Sequence, residues 1–104
     1  MSDSTMETDK FGIKRWKNSK GQYHRTDGPA VVGEDGIKSW FVNGQFHRLN
    51  GPAVEYSNGE NAWYVHGEFL GFDDEGFWAL WDILTPEQKQ DHTLLSYLPG
   101  DYNV

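Results

Sequence analysis

In Trp40-Phe41-Val42-Asn43-Gly44-Gln45-Phe46-His47-Arg48-Leu49-Asn50-Gly51-Pro52-Ala53, an aromatic pair, a tight-turn dipeptide, a His-Arg pair and Gly-Pro-Ala follow in quick succession. Asn43-Gly44 is a two-residue hairpin signal, because both central residues of a type I′ turn need positive φ, which Asn and Gly tolerate best. Such a turn sets Phe41 opposite Phe46 and Trp40 opposite His47, on opposite faces of the hairpin. Pro52 cannot donate to a ladder and belongs at a strand start or edge, so 52–56 reads as the next strand. Ser57-Asn58-Gly59 then turns the chain back into a strand over 60–65.

The same string precedes this one and partly follows it. Upstream, Trp16 leads through Tyr23-His24-Arg25-Thr26-Asp27-Gly28-Pro29-Ala30; downstream, a truncated copy runs Trp63-Tyr64-Val65-His66-Gly67-Glu68-Phe69-Leu70. His24 to His47, Pro29 to Pro52, Gly36 to Gly59 and Trp40 to Trp63 are each 23 residues apart, and one extra turn residue lengthens only the step from Trp16 to Trp40. A fixed period across dispersed positions marks a repeated supersecondary unit. Each unit supplies two strands and two turns, which predicts an antiparallel meander of about seven or eight short strands from Phe11 to Leu70. In the third copy the hairpin sets Tyr64 opposite Phe69 and Trp63 opposite Leu70. Aromatic residues fall on both faces, so the sheet is strongly twisted, covered twice, or left with an exposed aromatic surface.

After Gly71 the period changes. Phe77, Leu80, Trp81 and Leu84 form one helical stripe, with Asp73, Asp74 and Glu75 at the amino end where carboxylates suit the macrodipole. Thr85-Pro86-Glu87-Gln88 reads as a capping box with proline at the first helical position, opening a second helix toward Leu98. The expected fold is therefore mainly β (β+α) in one compact domain. It comprises a disordered tail over 1–10, hairpin repeats over 11–71, and an acidic helical cap over 72–104 that closes the open end of the array.

The chain has 104 residues and can bury only somewhat over half of the surface it exposes unfolded. Five Trp, five Tyr and six Phe supply the large side chains such a core needs. With no cysteine, neither a disulfide framework nor a thiolate metal site is available. Residues 1–9 contain no apolar run, so neither a signal peptide nor a membrane span is expected there, and a cytoplasmic location follows as the expectation. The net charge of −7 lies wholly in residues 68–104, where Glu68, Asp73, Asp74, Glu75, Asp82, Glu87, Asp91 and Asp101 face Lys89 alone.

His24, His47 and His66 invite a metal reading. However, His24 and His47 lie two strands apart, about 10 Å, and the third copy carries Leu70 at the repeated position, as a packing residue allows and a ligand does not. Asp27 recurs as Asn50, an exchange that suits a turn residue better than a catalytic base. The glycines fall at repeat turns and not between a strand and a helix, so no phosphate loop is expected. No cofactor, metal or catalytic residue is therefore assigned. The first helix is more specific: Glu75, Trp78 and Asp82 lie off its apolar stripe and, with Asp74 in the first turn, give a candidate partner-binding surface of one large aromatic among carboxylates. Direct nucleic-acid binding is not expected, since no basic stripe exists to neutralise phosphates. An acidic surface instead suits a basic protein, including one that itself binds nucleic acid.

The period, the aromatic before Asn-Gly and the glycine after it resemble MORN repeats over roughly residues 12–71. The His-Arg-x-(Asp/Asn)-Gly-Pro-Ala variant resembles repeat proteins of bacteriophages and large DNA viruses. Arg25 and Arg48 stand where MORN units commonly have glycine, and Gly-Pro-Ala replaces their second glycine. The resemblance implies hairpins laid side by side in an elongated sheet and a protein-binding or membrane-associated scaffold. The expected function is thus a non-catalytic protein-protein interaction module. Its sharper form is a small viral accessory protein that binds and inhibits a host protein in the host cytoplasm. The alternative is a structural or membrane-associated self-assembling scaffold, with homo-oligomers joined through a free sheet edge. Against lipid, the surface lacks the polybasic patch that anionic membranes attract.

Overall fold

A computed structural model describes residues 4–33 and 35–100. The strands are β1 (Thr5–Thr8), β2 (Lys14–Lys17), β3 (Val31–Val32), β4 (Lys38–Ser39), β5 (Phe41–Val42), β6 (Gln45–Phe46), β7 (Val54–Glu55), β8 (Asn61–Val65) and β9 (Glu68–Phe72). Helices α1 (Asp73–Ile83) and α2 (His92–Leu95) follow, separated by a 3₁₀ turn at Gln88–Gln90. The fold is β+α: a seven-stranded antiparallel sheet in the order β1-β2-β3-β4-β7-β8-β9, a two-stranded hairpin β5-β6, and two carboxy-terminal helices.

Strands β4 and β5 part at Trp40. Its N–H donates to Ala53 O in the main sheet, whereas its carbonyl accepts from His47 N–H in the second hairpin. Trp16 does the same one unit earlier, donating to Ala30 O and accepting from His24 N–H. At Trp40 the chain therefore passes from the main sheet into a hairpin of its own, whereas at Trp16 the first hairpin branches from β2, which stays paired with β1 through Lys17. The turns match their chemistry: Asn43 and Gly44 have φ of 51° and 82°, and His66 and Gly67 have 49° and 82°, as type I′ requires. Successive hairpins stack through Arg25 N–H to Phe41 O and Arg48 N–H to Tyr64 O.

Three further details depart from the sequence-based expectation. Of the tail expected over 1–10, residues 1–3 lie outside the described residues, but Thr5–Thr8 form β1 against β2. The Asp9 carboxylate folds the intervening turn by accepting from Phe11 and Ile13 N–H and pairing with Arg15 at 2.9 Å. Tyr64 lies opposite Phe69 as expected, but a bulge at Trp63/Tyr64 sets Trp63 opposite Gly71 instead of Leu70. The second helix is broken. Thr85 and Gln88 do exchange the reciprocal bonds of a capping box, yet Asp91 is extended and its carboxylate accepts from Thr93 and Leu94 N–H, starting α2 afresh. Residues 101–104 of the expected cap lie outside the described residues.

The His-Arg-x-(Asp/Asn)-Gly-Pro motif builds a clamp. The Arg25 guanidinium lies 3.9 Å from the Trp16 ring centre, and Arg48 lies 3.8 Å from that of Trp40. Each arginine also donates to its Asp27 or Asn50 carbonyl-type oxygen and to Pro29 O or Pro52 O. Gly28 and Gly51 close the other side: a Cβ there would come within 2.9 and 2.6 Å of the guanidinium carbon. The third unit has Gly71 where arginine would recur, and α1 takes over the covering role. Gly76 approaches Trp63 so closely that a Cβ would sit 2.2 Å from its ring, and Phe77 and Tyr97 meet the same ring edge-on at 5.7 Å. Trp63, Phe77, Leu80, Leu84 and Leu94 are the buried core, with Leu49, Val65, Leu70 and Trp81 packed around it.

Candidate protein-binding surface

One row of rings crosses all three hairpins. Tyr23, Phe41, Phe46, Tyr64, Phe69 and Phe72 follow one another at centroid distances of 5.2, 4.4, 4.7, 5.2 and 5.0 Å. The repeat generates this ladder directly, since Phe41 pairs with Phe46, Tyr64 with Phe69, and Tyr23 occupies the same register opposite Lys17. The Lys17 ammonium lies 6.0 Å from the Tyr23 ring centre and 3.3 Å from Glu7. The inner rings are half-buried, whereas Phe69 and Phe72 are 46% and 53% exposed. Trp63, next to Tyr64, packs instead against α1 and Tyr97, so adjacent residues serve the core and the ladder.

Helix α1 begins immediately after Phe72. Asp73, Asp74 and Glu75 occupy its first turn, and Asp73 adopts a φ of 49° while its carboxylate accepts from Asn61 N–H. Asp74, Glu75 and Asp82 are all exposed, as expected. Among the described residues, the ion pairs that form within the chain lie between Glu7 and Glu55, and none engages these carboxylates. Trp78 differs from the expectation of an outward anchor. It is half-buried and meets Phe77 and Trp81 edge-on at 4.8 and 6.0 Å, on its own helix. The exposed aromatics nearest the carboxylates in sequence are Phe69 and Phe72, which end the ladder.

His24 and His47 are turn caps. His24 Nδ1 accepts from Asn43 N–H and His47 Nδ1 accepts from His66 N–H, each 19 residues onward at the first turn residue of the next hairpin. His47 and His66 stack at 4.2 Å, and burial, then the neighbouring His66, hold His47 below the usual histidine range. Leu70 stands at the repeated position in the last unit because no further hairpin follows to be capped. Among the described residues, no group of three His, Cys, Asp or Glu side chains is placed to hold a metal ion. The clamp of the second unit extends into the cap: Arg48 donates to Glu55 at 3.3 Å, and the Tyr97 hydroxyl donates to the same carboxylate. Burial and that bond push the Tyr97 hydroxyl above the usual tyrosine range. A groove of about 670 Å³ runs beside the clamps, lined among others by Asp27, Trp40, His47, Asn50 and Asp91.

No protein-family model, curated protein or solved structure matches this chain. No helix among the described residues is long and apolar enough to cross a membrane.

Proposed function

We propose that the protein is a non-catalytic protein-interaction module that receives a basic partner on an acidic and aromatic surface. The observation that carries this reading is the set of exposed carboxylates Asp74, Glu75 and Asp82 on α1, which enter no ion pair among the described residues, on a helix that begins directly after the exposed Phe69 and Phe72 of β9. Charges of one sign steer an oppositely charged partner, and exposed aromatics supply anchors. The polar residues that recur in the repeat are all engaged in building it: arginine in the clamp, Asp or Asn in holding the arginine, histidine in capping. That supports a binding rather than a catalytic role. The resemblance to phage and large-virus repeat proteins extends the proposal to a viral accessory protein acting on a host protein in the cytoplasm.

Capture from a cell lysate on the tagged protein tests it. Charge reversal at Glu75 and Asp82 should lower capture of a specific partner about tenfold at low salt, with the melting temperature nearly unchanged. Undiminished capture by a folded variant would remove the acidic helix from the interface. One observation favours the scaffold alternative: β1 is an edge strand whose four residues are all exposed. In that case sedimentation would show concentration-dependent oligomers that a proline at Met6 abolishes.

A further inference from the structure

The ladder is an apolar stripe that leaves its last two rings open to solvent, and its length and spacing restrict what can lie along it. From Tyr23 to Phe72 the ring centres trace a path of roughly 24 Å. An extended strand laid along the rungs presents same-face side chains every ~6.6 Å, out of step with rungs 4.4 to 5.2 Å apart. An α-helix presents one side chain per turn on a given face, in steps of three or four residues that rise about 4.5–6 Å, and keeps pace with the ladder. The ends differ in charge. Lys17, already paired with Glu7, stands at the Tyr23 end, whereas Asp73, Asp74 and Glu75 follow Phe72. A second copy of this chain offers that end either its own acidic helix, which repels, or Lys17, already paired with Glu7, and phosphate-rich surfaces repel as well.

We propose that the aromatic ladder seats a basic amphipathic α-helix of a partner protein, about 16 residues long, with its apolar stripe on the rungs and basic side chains over Asp73, Asp74 and Glu75. This rests on the protein-binding reading and deepens it by naming the partner's secondary structure and how it lies along the rungs. Phe69 and Phe72 supply the exposed end of the seat and Tyr64, Phe46 and Phe41 its half-buried floor. The partner gains burial of apolar area at the rungs and salt-dependent attraction at one end, which together set its direction along the stripe.

The probe is a labelled 16-residue peptide with leucines at i, i+3, i+4 and i+7 spacing and lysines elsewhere, followed by fluorescence anisotropy at low salt. A scrambled peptide of the same composition should bind at least about fivefold more weakly. Phe69→Ser with Phe72→Ser should weaken the ordered peptide by at least about fivefold, with the far-ultraviolet dichroism unchanged. Smaller losses, or no binding to the wild-type chain, overturn the proposal. Should the double variant fail to fold, amide shift mapping on the wild-type chain decides: shifts over β6, β8 and β9 support the seat, and shifts confined to the Asp82 face of α1 refute it. If the peptide ignores the phenylalanines while charge reversal at Glu75 and Asp82 still abolishes lysate capture, the ladder fails and the binding module stands.

Discussion

Arg48 lies on the Trp40 ring, donates to Asn50, Pro52 and Glu55, and leaves no room for a Cβ at Gly51. Gly51→Ala should therefore cost about 1–3 kcal/mol, read from urea denaturation, because a guanidinium held on several sides cannot give way freely. In an Arg48→Ala background the same substitution should cost little. An undiminished cost would mean that the arginine is not what excludes the side chain. His47 makes a pH prediction. Its Nδ1 accepts the His66 N–H only while the ring is neutral, and its pKa is lowered by burial and then by His66. The unfolded chain binds this proton more readily, so the associated stability is complete above about pH 6.5 and is lost as pH falls toward the lowered folded value. His47→Leu should cost about 1 kcal/mol near pH 7.5 by leaving an amide uncapped, and should flatten the fall in melting temperature between pH 7.5 and 5.5. Parallel pH profiles for both proteins would dismiss His47 as the titrating group.

Helix α2 is only four residues long and has no propensity-driven stability of its own. It persists because Leu94 is fully buried and the Asp91 carboxylate satisfies two of its first N–H groups. Asp91→Ala should lower stability by about 0.5–2 kcal/mol in chemical denaturation. Asp91→Asn, which keeps the acceptor, should recover most of it; failure of asparagine to do so would assign the effect to charge and not to capping. The same logic explains why the segment expected as one helix over 85–98 is two: a competent capping residue in its middle offers the backbone an alternative start.

The repeats and the helices meet at Trp63, so the integrity of the domain rests there. Trp63 is 2% exposed, with Phe77, Tyr97 and Gly76 around it, whereas Trp40 is half-buried beneath Arg48. Trp63→Ala should cost about 3–5 kcal/mol and bring a domain of ordinary stability of about 5–15 kcal/mol close to unfolding. Trp40→Ala should cost visibly less, because part of that ring already faces solvent. Equal losses by thermal and urea unfolding would show that the three units form a core of one kind, with no special junction at the cap.

The 23-residue period, the Asn43-Gly44 hairpin, the Phe41–Phe46 and Tyr64–Phe69 pairs and the apolar stripe of α1 were legible in the chain itself, because turn chemistry and side-chain periodicity act within a few residues. Glu75 and Asp82 were likewise placed on an exposed helix face by spacing alone. Three-dimensional packing settled the rest. Whether Trp78 points outward depends on Phe77 and Trp81 beside it, and whether His47 is a ligand, a packing residue or a cap depends on a turn 19 residues away. The ladder, too, exists only when three hairpins stack in register, since the contacts that join one hairpin to the next, Tyr23–Phe41 and Phe46–Tyr64, run between units. Local rules specify each unit, but contacts between units, which no local pattern encodes, decide which of its side chains remain available to a partner.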